Sequence, residues 1–440
     1  MKKILVEILQ WILKQLAQLI IWRFEPRVIA ITGSVGKTSA KEAIYAVLTH
    51  SAGSGQRKLR VRKSEGNLNN ELGVSLAIIG PPTGGWKEEE LKLVSRDTPA
   101  GKWKIRKLLF WLKVVIFALF RIFFLRKSAY PQILILEYAA DRPGDIKYLL
   151  EIAKPFIGIV TAIGEIPVHV EFFSSSEAVG REKARVVESL PANGFAILNF
   201  DDEIVMKTRE RTRAKIITFG FGEAADLKIS GFENRSEEDN FIGISFKIEY
   251  NGSFVPVILK NVFGKAQAYA AAIAACVGLI FDLNLVQISE ALSLDYRSVK
   301  GRMNLIKGIK DTYIINDAYN ASPISMEEAL TTLGDLSAKR KIAVLGDMLE
   351  LGKYSLEAHE SIGRLAGKIV DVLITIGPRA KFIAESAEAV GLDKSKILIF
   401  DTAGEACIAI QNLIKKGDLV LIKASRALAL EKIVEEIKEI

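Results

Sequence analysis

The sequence predicts an α/β protein. A parallel-sheet unit is built around a phosphate-binding loop, a second, Rossmann-like α/β unit follows it, and an apolar helix stands in front. Three observations carry this expectation. The segment Ile29-Ala-Ile-Thr-Gly-Ser-Val-Gly-Lys-Thr-Ser-Ala40 passes from an apolar run through a Gly-rich turn into a helical pattern. From residue 131 onward, short apolar runs alternate with amphipathic stretches. Residues 1–22 and 103–125 are strongly apolar, with basic residues punctuating them.

With 440 residues the chain has room for two or three domains with large cores. The expected divisions are an N-terminal helix (1–26), a central unit (27–298) carrying an apolar, basic insertion at 81–130, and a C-terminal unit (299–440). The only cysteines are Cys276 and Cys407, which excludes a disulfide framework or a Cys-rich metal site. That usage fits a reducing cytoplasm. The formal net charge is +8, and its basic residues crowd into 57–63 and 102–127. The second cluster is interleaved with apolar residues. The partner this suggests is an anionic membrane surface, met peripherally at its inner face, and not nucleic acid.

Taken in order, the elements are as follows. In residues 1–22, Glu7, Gln10, Lys14 and Gln18 recur every three or four positions and form one polar stripe, which argues against a membrane-spanning helix. The segment is expected to be interfacial or packed on protein. Val28 to Ile31 reads as a buried strand, and Ser39 to Leu48 as the helix after the turn. Residues 103–125 suit a helix in a headgroup layer; the alternative is a buried hairpin with residues 1–22. Strands are expected at 133–136, 157–161, 196–199 and 215–219, and helices at 177–190 and 266–279. Alternation in 241–250, then Asn251-Gly252, then 254–259, signals a β-hairpin. A second α/β unit starts near 299, with strands at 313–316, 342–345, 372–376, 397–400 and 419–423.

In the loop, Thr32-Gly33-Ser34-Val35-Gly36-Lys37-Thr38-Ser39 supplies backbone N–H groups for phosphates, a lysine to neutralise them and a hydroxyl for Mg²⁺. The common pattern would place Gly where Ile31 stands. Even so, strand, Lys, Thr and helix fall in the order that nucleoside triphosphate binding requires.

Glu137 ends the buried run at 133–136, where open α/β sheets bind ligands. It is either a Mg²⁺ ligand or a strand-end surface carboxylate. His169 is one of only three histidines, and Lys183 follows fourteen positions later on the next helix; a lone His is structural or a ligand. In the second unit Asn316-Asp-Ala-Tyr-Asn-Ala-Ser-Pro323, Gly346-Asp-Met348 and Lys423-Ala-Ser-Arg426 each follow a strand. Such polar clusters at strand ends are turns singly and imply one shared site together.

Together these residues resemble the Mur ligase family over residues 28–435, nearest to its branch that adds D-alanyl-D-alanine. Thr32 to Thr38 looks like the family's ATP loop, and residues 66–73 are similar to its following substrate-side segment. Leu136-Glu137 with Arg142-Pro-Gly-Asp145 resembles the Mg²⁺-ligating glutamate motif. His169 matches a second metal-ligating His, and Lys183 falls at the carbamoylated Lys. Gly301-Arg302 resembles the inter-domain pair that contacts nucleotide phosphate. Asp317, Tyr319 and Asn320 lie in the C-domain nucleotide motif, with Asp317 on the ribose.

The resemblance implies ATP and two Mg²⁺ sites, the second through a carbamoylated Lys183. It implies an ADP-forming amide ligation in which D-Ala-D-Ala joins a muramoyl-tripeptide peptidoglycan precursor through an acyl phosphate. Lys37, Glu137, His169 and Lys183 would be its catalytic set.

Three departures stand out. Gly264-Lys-Ala266-Gln267 replaces the family's adenine-side His and Asn, leaving Gln267 as the only amide there. Ser322 occupies a usual Asn position. About 30 residues precede the loop, where such enzymes carry a UDP-sugar-holding domain, so the expected grip on UDP is missing or supplied differently. Two rival readings follow: the same ligation on a lipid-linked acceptor, or a non-catalytic ATP-binding relative.

Overall fold

The computed structural model describes residues 2–50, 59–66, 68–81, 86, 88–94, 104–166, 172–237 and 240–439. The order of elements begins α1 (Lys2–Phe24), β1 (Arg27–Thr32), α2 (Lys37–Thr49), β2 (Val61–Lys63), α3 (Glu71–Ile79), α4 (Glu88–Val94), α5 (Lys104–Phe124), β3 (Ile133–Glu137), α6 (Asp145–Ile152), β4 (Ile157–Val160) and α7 (Ser176–Glu188). It continues through β5 (Phe195–Asn199), α8 (Glu203–Met206), β6 (Lys215–Gly220), β7 (Leu227–Glu237), β8 (Asn240–Tyr250), β9 (Ser253–Lys260), α9 (Lys265–Ile280) and α10 (Leu285–Asp295). The remainder is β10 (Asn304–Gly308), β11 (Thr312–Asn316), α11 (Pro323–Asp335), β12 (Arg340–Gly346), α12 (Ser355–Ile369), β13 (Val372–Ile376), α13 (Lys381–Ala389), β14 (Ile397–Phe400), α14 (Ala403–Leu413), β15 (Asp418–Lys423) and α15 (Glu431–Ile437).

The strands form two sheets, a nine-stranded one ordered β2-β3-β1-β4-β5-β6-β7-β8-β9 and a six-stranded one ordered β10-β11-β15-β12-β13-β14. The first is parallel as far as β7 and ends in an antiparallel ribbon of β7, β8 and β9. The second is parallel except for the β10–β11 edge. The α/β class holds. The expected β-hairpin is β8–β9, and β2, β7 and β10 are additions to the expected strands. β7 is interrupted by register shifts after Ser230 and Arg235, which break its alternation.

Apolar content explains the layering. The central strands of the first sheet are buried on both faces, as parallel strands under helices must be. One face is covered by α2 and α9, and α9 buries an alanine-rich surface (Ala268, Ala271, Ala272, Ala275) that lets it pack closely on α2. The other face is covered by α3 and α6, and α1 and α5 lie over them. α1 buries Leu13, Leu16, Ala17, Ile20 and Phe24; α5 buries Phe110, Trp111, Val114 and Ala118. Both helices therefore pack on protein along one stripe. In place of the helical hairpin held as the alternative, the two helices pack on each other with their C-terminal ends together, where Arg23 donates to the Leu125 carbonyl at 3.3 Å and Lys127 pairs with Glu25. No helix among the described residues is long and apolar enough to cross a membrane.

Strand β1 lies between β3 and β4, so the chain leaves it at a point where the sheet order switches sides. Open α/β sheets form their ligand crevice there.

Candidate active site

The turn between β1 and α2 is held by β4 and the residues after it. Ser34 N donates to the Ala162 carbonyl at 2.6 Å, and Thr161 Oγ1 donates to Val35 O at 2.5 Å. Gly33 has a φ of 145°, and a Cβ built on it would lie 2.0 Å from Thr161 Oγ1, so no other residue fits there. Gly36, with a φ of 88°, precedes the first turn of α2. Thr32 Oγ1 ties the end of β1 to the Tyr138 carbonyl at 2.9 Å, and Ser39 is buried beneath the turn.

Two lysines converge on one carbonyl of this turn. Lys37 Nζ donates to Gly33 O at 2.6 Å, and Lys183 Nζ, reaching from α7, donates to it at 3.1 Å. Burial pushes the Lys37 amine down; Glu137 opposes this and Arg302 adds to it. Lys183 is 2% exposed, and burial pushes its amine down to about 7, with the Lys37 charge adding and Asp141 and Glu182 opposing. An amine in that position is about half neutral near pH 7.

Glu137 closes the other side of the turn. Thr38 Oγ1 donates to its Oε2 at 3.3 Å, and Lys41 Nζ stands 2.8 Å from its Oε1. Lys41 and Glu137 are buried together, at 1% and 2% exposure. Lys41 escaped the sequence reading because its position, one helical turn after Lys37, is also that of an ordinary surface lysine. Glu182, beside Lys183, accepts from Gly144 N and Ile146 N at 3.0 and 3.1 Å and so fixes the start of α6. His169 lies outside the described residues. Among the described residues no group of three or more His, Cys, Asp or Glu side chains forms a metal cluster.

The C-terminal sheet brings a second set of groups. The Arg302 guanidinium lies 4.2 Å from the centroid of the Tyr319 ring, and that of Arg426 lies 4.7 Å from it. Asp317 turns inward, whereas Asn320 is exposed and contributes only its backbone carbonyl. The Asp317 carboxylate is ion-paired with Lys423 and accepts from Met303 N at 3.1 Å, while Asn320 O accepts from Lys423 Nζ at 3.0 Å. Asp317 thus braces the hinge between the sheets, and a buried cation already holds the carboxylate expected on a ribose.

Gln267 also differs from the expectation. Its Nε2 donates to Arg302 O at 3.1 Å and its Oε1 accepts from Tyr296 OH at 2.5 Å. At 1% exposure, the amide is spent on tying α9 to the hinge and is turned away from any base.

Whether these residues suit a nucleotide and a divalent cation is decided by the polar groups left over. Ser34 Oγ and Arg302 Nε are buried without a hydrogen-bond partner among the described residues. Orphaned donors at a phosphate loop fit an anion. Thr38 and Glu137 offer hard oxygen donors, which fit Mg²⁺. A cavity of about 690 Å³ runs from Val35, Gly36 and Thr161 past Asn199 and Tyr269 to Glu328 on α11. That is room for a nucleoside.

Glu328 has a second property. It accepts the Ala266 N–H at the start of α9, and burial pushes its carboxyl up to about 7, against the ordinary 4.5. The folded protein then holds a proton that the unfolded chain has released, so this contribution is lost as pH rises through that window. Glu328→Gln keeps the acceptor and cannot ionise. We expect it to be about 1–2 kcal/mol more stable than the parent near pH 8, the effect being reduced because the side chain borders the open cavity, with the gap closing near pH 5. Denaturant titrations at the two pH values check this; an equal gap at both would contradict it.

Fold and site define a phosphate-loop nucleotide-binding protein of two α/β units. Comparison with known proteins narrows this. Residues 121–278 match the Mur ligase middle domain and residues 301–426 the Mur ligase glutamate ligase domain, together well over half of the chain. The chain belongs to the Mur ligase family.

It is 29% identical over 429 residues to the UDP-N-acetylmuramoyl-tripeptide--D-alanyl-D-alanine ligase of Bacillus subtilis (strain 168), covering 97% of this chain and 79% of that protein. It is 29% identical over 424 residues to the enzyme of the same description in Mycobacterium tuberculosis (strain ATCC 25618 / H37Rv), covering 92% and 71%. Among solved structures, the MurF ligase of Thermotoga maritima in complex with ADP superposes with a TM-score of 0.74 at 26% identity, over 96% of this chain and 82% of that one. MurF from Acinetobacter baumannii gives a TM-score of 0.72 at 25% identity, over 96% and 79%.

Proposed function

We propose that this protein is an ATP-dependent, ADP-forming ligase of the cytoplasm that joins D-alanyl-D-alanine to a muramoyl-tripeptide peptidoglycan precursor. The convergence of Lys37 and Lys183 on Gly33 O, opposite the Thr38–Glu137 contact, is the observation that carries this reading. The relatives described above, which bear that activity in their names, support the choice of substrates.

In this reading the phosphate chain lies along the turn. Lys37 and Arg302 offset its charge, and Ser34 Oγ gains its missing partner. Thr38 and Glu137 would hold Mg²⁺, which supplies charge neutralisation between the β- and γ-phosphates. A carbamate on Lys183, with His169, would hold the second cation. The carbamate turns a cationic side chain into an oxygen donor, and forming it requires the neutral amine that burial of Lys183 favours. The acceptor carboxylate attacks the γ-phosphorus and ADP leaves. The dipeptide amine then attacks the acyl carbon, and phosphate leaves. Glu328, Asp317 and Gln267 hold the C-terminal sheet against the first, which keeps water from the acyl phosphate.

Phosphate release from ATP tests this, measured with D-Ala-D-Ala plus either a UDP-linked or a lipid-linked muramoyl-tripeptide. Release with the UDP-linked acceptor is the expected result. Release only with the lipid-linked acceptor would keep the chemistry and change the substrate, and release with neither would leave a non-catalytic nucleotide-binding relative.

A further inference from the structure

We propose that the outer faces of α1 and α5 seat this protein on an anionic lipid bilayer, lying in the headgroup layer without crossing it. The proposal goes beyond the ligase reading and does not rest on it.

The first observation is the shape of the exposed surface. On α5, Leu112, Ile116, Phe120 and Phe124 are 52%, 58%, 53% and 73% exposed. A four-residue spacing puts them on one helix face, opposite the stripe that packs inward. On α1, Trp11 and Trp22 are 63% and 77% exposed. Both helices bury their inner stripe in the same core, so the outer stripes lie on one side of the molecule. Scattered apolar side chains are normal on a protein surface, but a continuous stripe of large ones marks an interaction face.

Charge identifies the partner. Between Asp97 and Glu137 the chain carries eight Lys and Arg and no Asp or Glu, which equals the whole net charge of +8. The rest of the chain therefore sums to zero, 57–63 being a second, smaller basic cluster. The segment that carries α5 supplies a surplus equal to the net charge, with Arg121 alone of its named cations buried and donating to the Pro81 carbonyl. Acidic groups do approach from neighbouring elements, but Glu90 and Glu25 are each paired with a lysine of this segment, Lys113 and Lys127. A two-fold contact with a second copy would set this basic surplus against itself. An anionic headgroup layer neutralises it and takes up the apolar stripe at the same time. Trp and Phe on such a stripe suit the boundary between headgroups and acyl chains.

Orientation follows from packing. α5 is 21 residues long, but Arg106, Lys107, Lys113 and Arg121 interrupt it, and it is held along its length by α1, α3 and α4. It can only lie flat. Beneath α1 lies α3, and Asn69, just ahead of α3, accepts from Ala139 N two residues past Glu137. The docking face is thus the layer outside the loop next to Glu137.

Co-sedimentation of the full chain with vesicles tests the proposal. We expect the protein to pellet with phosphatidylcholine–phosphatidylglycerol vesicles, more weakly at high salt, and much less with phosphatidylcholine alone. The double variant Trp22→Glu/Phe124→Glu should lower partitioning by at least about tenfold, given the apolar area withdrawn, while binding of a fluorescent ATP analogue stays at the parent level and reports an intact fold. Failure to pellet with the anionic vesicles, or pelleting unchanged in the variant, would overturn the proposal. A dimer in vesicle-free buffer that the same substitutions dissolve, without vesicle binding, would give the face to a second copy and also overturn it. Since partitioning is read without turnover, failure of the ligase reading would leave this result standing.

Discussion

Replacing Lys183 by alanine will lower phosphate release by about 10²–10³-fold, the scale of losing one group that stabilises charge at the reacting centre. Millimolar formate or acetate will return part of the rate. The reason lies in what the amine touches. Lys183 Nζ is buried against Gly33 O beside a second lysine, and a fixed ammonium there would repel a metal. With its amine at about 7, the side chain has the neutral fraction that reacts with CO₂. A small carboxylate entering the space left by Lys183→Ala would replace the carbamate's oxygens.

The same shift has a consequence for stability. The folded protein loses this proton at a lower pH than the unfolded chain does, so between about 7 and 10.5 the unfolded chain holds more protons and stability rises with pH. Lys183→Met, which cannot ionise, should therefore outlast the parent in thermal melts near pH 7, with the margin narrowing as pH rises. Rate measurements with and without added carboxylates, and melts across that range, check both statements. Unchanged turnover in Lys183→Ala would remove the carbamate from the mechanism.

The second large effect concerns Lys41. Its ammonium is buried 2.8 Å from Glu137 Oε1, and the pair is enclosed almost completely. Lys41→Met removes the cation and leaves a carboxylate buried without its partner. Breaking one side of such a pair costs about 3–5 kcal/mol. The loss should appear as a lower denaturant midpoint with an unchanged slope. Mg²⁺ with nucleotide should restore more stability to Lys41→Met than to the parent, because a cation bound at Glu137 supplies the missing charge. Equal stabilisation of both proteins would mean that Glu137 does not meet the metal.

Much of this architecture was legible in the chain. The apolar runs that became β1, β3, β4 and β5 are buried on both faces, and a strand of that kind shows its composition whatever its neighbours. The phosphate turn was legible because Gly33 and Gly36 must adopt backbone angles that few residues accept. β7 and β10 were harder. β7 carries Glu233, Asn234 and Arg235 across a bulge, and β10 has five residues on a sheet edge, so neither shows a clean two-residue period.

Partnerships between side chains were the least legible part of the site. The family resemblance leads one to expect nucleotide contacts from Asp317 and Gln267, yet Lys423 takes the first, and Tyr296 with the Arg302 carbonyl takes the second. Lys41 and Glu328 gave no signal, since a lysine and a glutamate on amphipathic helices are common. The sequence by itself determined the α/β class, the phosphate turn and the residue types available to it, because local backbone limits and the burial period act within a few neighbours. Only the tertiary structure decided which charges are buried against each other and which amides are spent on the hinge. Those choices depend on desolvation, and desolvation is set by elements distant in the chain, 29 residues apart for Gln267 and Tyr296 and 106 for Asp317 and Lys423.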